Sequence, residues 1–162
     1  MNLKSKKYPN IKYEKGQEIF LSPEEMNSHF YFDVEEELTS NNEAMNIVAE
    51  MLDEVEMLEK TAKNFLKKIL DDKKNEYYDV VSYFMEFHRD EIDSDVTVEL
   101  FQVDNPSDLW FVEMVDLLKI KRLGGLIDSE SQQQIFIVDL SFNTDFTDEL
   151  IVIYFNLEKQ IF

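Results

Sequence analysis

Two histidines and no cysteine set the limit on nucleophile, base and transition-metal chemistry in this 162-residue chain. His88 has Phe84 four residues before it, Ile92 four residues after it, and Asp90 and Glu91 close by. A general base needs a reacting group within hydrogen-bond reach. Nothing nucleophilic or metal-ligating stands at helical spacing from His88, so it reads as a helix-face histidine partly covered by aromatics. His29 precedes a strand and has still less around it. The run Asp90-Glu91-Ile92-Asp93-Ser94-Asp95 has calcium-like oxygens, but an EF-hand loop needs a glycine at its sharp turn. The three glycines are Gly16, Gly124 and Gly125, which also leaves no glycine-rich phosphate loop. With 35 acids, paired carboxylates are expected by chance. Trp110 and Phe111 read as core. The expectation is no catalytic residue, no metal and no cofactor. The alternative is an enzyme or small-ligand binder with a pocket near His88.

Charge is the stronger signal. The net charge is -19, and it is segregated. Glu18 to Glu59 holds thirteen acids and no Lys or Arg, and Tyr77 to Leu118 holds eleven acids against Arg89 alone. Bases gather in the first fifteen residues, in Lys60 to Lys74, and at Lys119, Lys121 and Arg122. Such single-sign patches repel nucleic acid and anionic membrane and attract basic partners. The candidate partner-binding residues are Glu35, Glu36 and Glu37, taken as a strand end, and Asp90, Glu91, Asp93 and Asp95, taken as a helix end. Acids at a helix C-terminus oppose the macrodipole and cost about a few tenths of a kcal/mol. A cluster kept there despite the cost hints at use. Exposed aromatics such as Tyr8, Tyr13 and Tyr31 come next as interface candidates.

The elements that would position these residues follow from periodicity. Residues 1–17 read as a mobile or edge segment, and Glu18 to Leu21 as a short strand closed by Ser22-Pro23. Phe30, Phe32 and Val34 alternate with Tyr31, Asp33 and Glu35, as in a half-buried strand. Ala44, Val48, Met51, Val55, Leu58, Ala62, Phe65 and Ile69 make a helical stripe. One helix over 41–71 would be about 46 Å long and overhang a domain of about 40 Å diameter. It therefore breaks near Leu58 to Thr61 or packs on another subunit. A second helix spans about Glu76 to Ile92, with Tyr77, Val80, Val81, Phe84, Phe87, His88 and Ile92 inward. Val96 to Val103 reads as a short strand. Asn105-Pro106 opens a helix carrying Leu109, Trp110, Phe111, Met114 and Val115. Leu118 to Leu123 is a strand turned by Gly124-Gly125, and Ile135 to Phe142 alternates. Glu149 to Leu157, apolar on both faces, reads as a central strand. The sum is one α+β domain over 1–162. Its sheet is expected to be antiparallel, a C-terminal meander plus an N-terminal strand, with helices packed on one face.

The stretches Tyr77-Tyr78-Asp79-Val80-Val81-Ser82-Tyr83-Phe84 with Glu86-Phe87-His88, Phe111-Val112-Glu113-Met114-Val115, the strand Phe136 to Leu140 and Thr147 to Phe155 carry a resemblance. Over roughly 76–162 the chain resembles a small acidic bacterial family catalogued as a domain of unknown function, number two thousand and four in its series. Members of that kind occur among toxin-immunity proteins. The resemblance implies an immunity protein whose acidic face covers a basic toxin domain, such as a nuclease. No apolar run follows the basic N-terminus and none approaches the roughly 20 residues that span a bilayer. The expectation is a cytoplasmic protein, monomer or dimer, with a basic protein partner and neither nucleic acid nor membrane.

Overall fold

The computed structural model describes residues 1–142 and 145–162. In chain order the elements are β1 (Ile19–Leu21), α1 (Pro23–Met26), β2 (Tyr31–Val34), α2 (Glu36–Thr39), α3 (Asn42–Asp53) and α4 (Val55–Leu70). Then come α5 (Tyr78–Glu86), α6 (Ser94–Phe101), α7 (Phe111–Val115), β3 (Lys119–Ile127), β4 (Gln134–Ser141) and β5 (Ile151–Phe155). A π-helical turn, Phe87–Glu91, continues α5, and a 3-10 turn, Pro106–Asp108, precedes α7. The class is α+β. The five strands lie in the order β1-β2-β3-β4-β5. β1 pairs antiparallel with β2, and β4 with β5. β2 and β3 run parallel, with Tyr31 opposite Arg122 and Val34 opposite Gly125, so the sheet is mixed where an antiparallel one was expected. A parallel neighbour needs a long crossover, and residues 35–118, with six of the helices, supply it.

The chain divides into two compact units. The first comprises Met1–Glu59, Ile120–Leu140 and Ile151–Phe162, and the second Lys60–Lys119 and Ser141–Leu150.

In the first unit β2 alternates as its sequence requires: Phe30, Phe32 and Val34 are buried, and Tyr31 is exposed. Gly124 and Gly125 do not turn the chain; they lie inside β3. A Cβ on Gly124 would come within 3.1 Å of Asp33 Oδ1, and one on Gly125 within 3.0 Å of Val48 Cγ2. Close approach from both sides of the sheet, not turn geometry, accounts for the pair. The turn comes later. Asp128 N–H donates to the Gln133 carbonyl at 2.8 Å, and the Asp128 carboxylate accepts from Ser131 N–H and O–H. β4 is the strand buried on both faces, from Ile135 to Ser141. β5, expected to be central, is an edge strand with Val152 and Tyr154 exposed. Its apolar outward residues misled the reading because aromatic and β-branched side chains also suit half-exposed strands.

The long helical pattern breaks at Glu54, whose backbone (φ -104°, ψ 20°) ends α3, rather than near Leu58 to Thr61. No Gly or Pro is involved. Asp53 accepts from the Ser5 hydroxyl at 2.6 Å and from the Lys6 and Lys7 amides at 2.9 and 3.0 Å. Glu54 pairs with Lys159, which also reaches Glu50 at 2.9 Å. Segments near both ends of the chain are thus fastened at this one bend. Burial raises the Asp53 carboxyl, but its donors outweigh burial and hold it below the ordinary range. Residues 1–13 form a hairpin, with Leu3 N–H donating to the Ile11 carbonyl and both side chains buried.

In the second unit Phe84, Met85, His88, Phe101, Met114 and Phe142 are buried. The Phe142 ring lies 5.0 Å from Phe101 and 5.7 Å from Phe84. Tyr77 and Val80, expected inward, are exposed. Val96 to Val103 is not a strand: Val96 to Phe101 belong to α6, and Gln102 caps it in a left-handed conformation. Asp93 caps that helix by accepting from Asp95 N–H, and the Thr97 hydroxyl donates back to the Asp93 carbonyl at 3.0 Å. Thr97 and Phe101, four apart, are its buried residues, which is helical rather than strand spacing. Trp110 is not core: it precedes α7 and is 74 % exposed.

Leu140 is fully buried in β4. Replacing it with Ala should destabilise the protein by about 2–5 kcal/mol. The measurement is the denaturant midpoint, and a shift no larger than that of a surface variant would exclude this packing.

Candidate partner-binding face

In the first unit, strand register gathers one set of side chains on one face of the sheet. Phe20 and Gly124 both lie opposite Asp33, Arg122 lies opposite Tyr31, Asp139 opposite Val152, and Ile137 opposite Tyr154. The apolar members are exposed at the two edges of this face: Phe20 at 63 % and Tyr31 at one edge, Val152 and Tyr154 at the other. The Phe20 and Tyr31 rings stand 6.0 Å apart, and Tyr154 lies 6.2 Å from Phe162.

Between these edges sit two carboxylates and one guanidinium. Arg122 Nε donates to Asp33 Oδ1 at 2.7 Å, whereas its Nη1 stops 3.9 Å from Asp139 Oδ2. The Asp139 side chain is 5 % exposed, and its Oδ1 has no hydrogen-bond partner. A buried charged oxygen without a donor is costly. Burial pushes the Asp139 carboxyl upward; Arg122 pulls it back, and Asp33 adds to the push. Burial also raises Asp33, against the pull of Arg122, and Glu18 and Glu35 raise it further. The missing Cβ of Gly124 leaves room for the Asp33 carboxylate. Sequence reasoning passed over Asp33, Arg122 and Asp139. The available signal was Asp139 itself, a lone charge inside the apolar run Ile135 to Leu140.

The residues singled out from sequence fall in two places. Glu35, Glu36 and Glu37 belong to the first unit, and Asp90, Glu91, Asp93 and Asp95 to the second. Glu35 directly follows β2, and Asp90 and Glu91 close the π-helical turn that continues α5, so these three do lie at a strand end and a helix end; the others do not. Glu35 precedes α2 and accepts from Ile127 N–H at 2.9 Å, while Glu36 and Glu37 are exposed in the first turn of α2, not at a strand end. Asp90 is held by Arg89 through two bonds, at 2.9 and 2.8 Å. Asp93 and Asp95 begin α6 rather than end a helix. Acids at a helix N-terminus are favourable, so the energetic hint of use disappears for them. Of the three tyrosines, Tyr13 is buried, whereas Tyr31 lies on the sheet face described above.

His88 is fully buried. Its Nδ1 is 2.8 Å from the Phe84 carbonyl, which can only accept, so Nδ1 carries the proton. Nε2, at 2.9 Å, then accepts from the Thr147 hydroxyl. Phe84, Phe87 and Phe142 surround the ring at 4.4–5.2 Å. Both nitrogens are engaged, which leaves none for substrate. Two clefts, of about 350 and 590 Å³, lie in the first unit. The smaller is lined by Lys7, Tyr8, His29, Glu56 and Glu59 among others, and His88 lines neither. Among the described residues no cluster of His, Asp and Glu could hold a metal ion, and no helix is long and apolar enough to cross a membrane.

Burial lowers the His88 pKa below its ordinary value of 6.5, although the Phe84 carbonyl and Glu149 oppose this. As pH falls, the unfolded chain takes up this proton first. The contribution to stability is therefore complete above about pH 6.5 and is lost on acidification below it. Thermal melts of wild type should show this fall as the pH drops below about 6.5. His88→Gln should be less stable at neutral pH by about 1–3 kcal/mol and show a shallower fall. Equal slopes in the two proteins would exclude a neutral buried His88. Comparison with protein-family models, with curated proteins and with solved structures gave no match to this chain.

Proposed function

We propose that this chain is a binding protein of the immunity kind, which holds a basic toxin domain, such as a nuclease, through its acidic surface. The observation that carries the reading is charge segregation: thirteen acids and no Lys or Arg from Glu18 to Glu59. The few bases near acidic segments are engaged within the chain. Lys7 pairs with Glu56, Lys67 with Asp116 at 2.7 Å, and Lys159 with Glu50. Among the described residues Glu36, Glu37, Glu91, Asp93 and Asp95 are exposed and in no ion pair, so their field reaches solvent.

A toxin that acts on nucleic acid must carry cationic surface to hold phosphates. An acidic binder competes for that surface. Electrostatic steering raises association rates to about 10⁸–10⁹ M⁻¹s⁻¹ at low salt. The burial of His88 weighs against the alternative, a small-ligand pocket beside it.

The test is the association rate with the basic product of an adjacent gene, measured against ionic strength. At physiological salt the Debye length is about 8 Å, so only charges near the contact act strongly. Charge reversal at Glu36 and Glu37, or at Asp93 and Asp95, should slow association and flatten its salt dependence in whichever patch faces the partner. A rate that ignores both salt and both reversals would reduce the charge pattern to a solubility device.

A further inference from the structure

The sheet face of the first unit holds two carboxylates, Asp33 and Asp139, and one guanidinium to share between them. Arg122 favours Asp33 at 2.7 Å and leaves Asp139 at 3.9 Å. Asp139 Oδ1 is buried and without a donor. Glu18 and Glu35 are near enough to act on Asp33, which deepens the local negative potential. Lys121 acts on Asp139 only through its charge and no donor reaches Oδ1, so the centre is short of one cation in direct contact. Phe20 and Tyr31 flank it on one side, with Val152 and Tyr154 on the other, all exposed. A charged centre flanked by exposed aromatic and aliphatic side chains has the anatomy of an interface hot spot: the rim excludes water and the centre supplies direction.

We propose that this face docks a basic protein segment, one arginine of which supplies the missing cation to the Asp33–Asp139 pair. The proposal rests on the reading of the chain as a binder of basic proteins, and it names the site and the group recognised. The entry point is Asp33, whose side chain is 27 % exposed against 5 % for Asp139. The incoming guanidinium pairs with Asp33. Arg122, whose side chain is 38 % exposed, then closes the remaining gap to Asp139. Two carboxylates and two guanidiniums thus replace a pair with one charge left over. Arginine suits this role better than lysine, because its planar fork bridges two carboxylate oxygens and sheds water more readily.

The experiment uses the full chain and a capped arginine-glycine peptide in physiological salt, followed by backbone amide NMR shifts and a binding isotherm. Shifts should centre on Phe20, Val152 and Tyr154. Asp33→Asn and Asp139→Asn should each weaken the peptide by about tenfold or more. Glu36→Gln and Asp93→Asn remove the same charge elsewhere and should cost about twofold or less. Asp139→Asn should melt no lower than wild type, because it removes an unsatisfied buried charge; a purely structural aspartate would show a fall. Val152→Arg offers the cation from within, opposite Asp139, and should raise the melting temperature while abolishing peptide binding.

Equal losses in all four neutralising variants, with shifts at Glu36–Glu37 or Asp93–Asp95, would overturn this site and leave the acidic-surface reading standing. Absence of saturable, salt-dependent binding by wild type would overturn both. Self-association abolished by Val152→Arg would overturn the proposal too, since the occupant would then be a second copy of this chain.

Discussion

The parallel pairing of β2 with β3 is the constraint on which the rest depends. Once Tyr31 to Val34 lie beside Arg122 to Gly125 in the same direction, the chain between them must cross over. That requirement accounts for the placement of six of the seven helices between the second and third strands. The same pairing sets Asp33 next to Gly124, the position in β3 where a missing Cβ lets a carboxylate sit close to the strand. It also puts Arg122 within reach of Asp33. A slip of one residue would turn Asp33 and Arg122 toward the helices and Phe32 and Leu123 toward the opposite face. The fully buried Phe32 and Leu123 hold the register against that.

Burial and charge are in tension through this sheet. β4 is covered on both faces, and such strands are ordinarily all apolar. Asp139 breaks the pattern and is not fully compensated. Elsewhere carboxylates are put to local use: Asp53 receives three donors from the N-terminal hairpin, Glu54 meets Lys159, and Asp93 caps α6. Exposed ion pairs of the Lys7–Glu56 kind contribute little stability. Their larger effect is to leave the remaining acidic surface uncancelled.

Several elements were legible because local and tertiary preferences agree. Glu18 to Leu21 was read as a strand closed by Ser22-Pro23, and β1 does end there, although Ser22 and Glu25 also form a capping box that opens α1, a helix not expected. Phe32 and Val34 are buried and Tyr31 exposed as their alternation demanded, whereas in β4 Ile135 and Ile137 are buried along with Phe136, Val138 and Leu140. Other elements were misread where the two preferences diverge. The β-branched run Val96-Thr97-Val98 suggested a strand, but the Asp93 cap and the Thr97 hydroxyl returned it to a helix. The helix break at Glu54 has no backbone signature, because the contacts that make it come from Ser5, Lys6, Lys7 and Lys159, far away in sequence. Gly124-Gly125 looked like a turn because glycine permits a turn as readily as a close approach.

By itself the sequence determined the α+β class, the apolar material of the core, and an acidic surface with few bases to cancel it. These depend on composition and short periodicity, which need no partner to be read. Strand order, the parallel pair, the edge position of β5 and the enclosure of His88 were decided only in the tertiary structure. So was the meeting of Asp33, Arg122 and Asp139, whose positions span more than a hundred residues. Each depends on which distant segments pair, and a period-2 pattern shows that a strand has an inner face without showing which strand lies beside it.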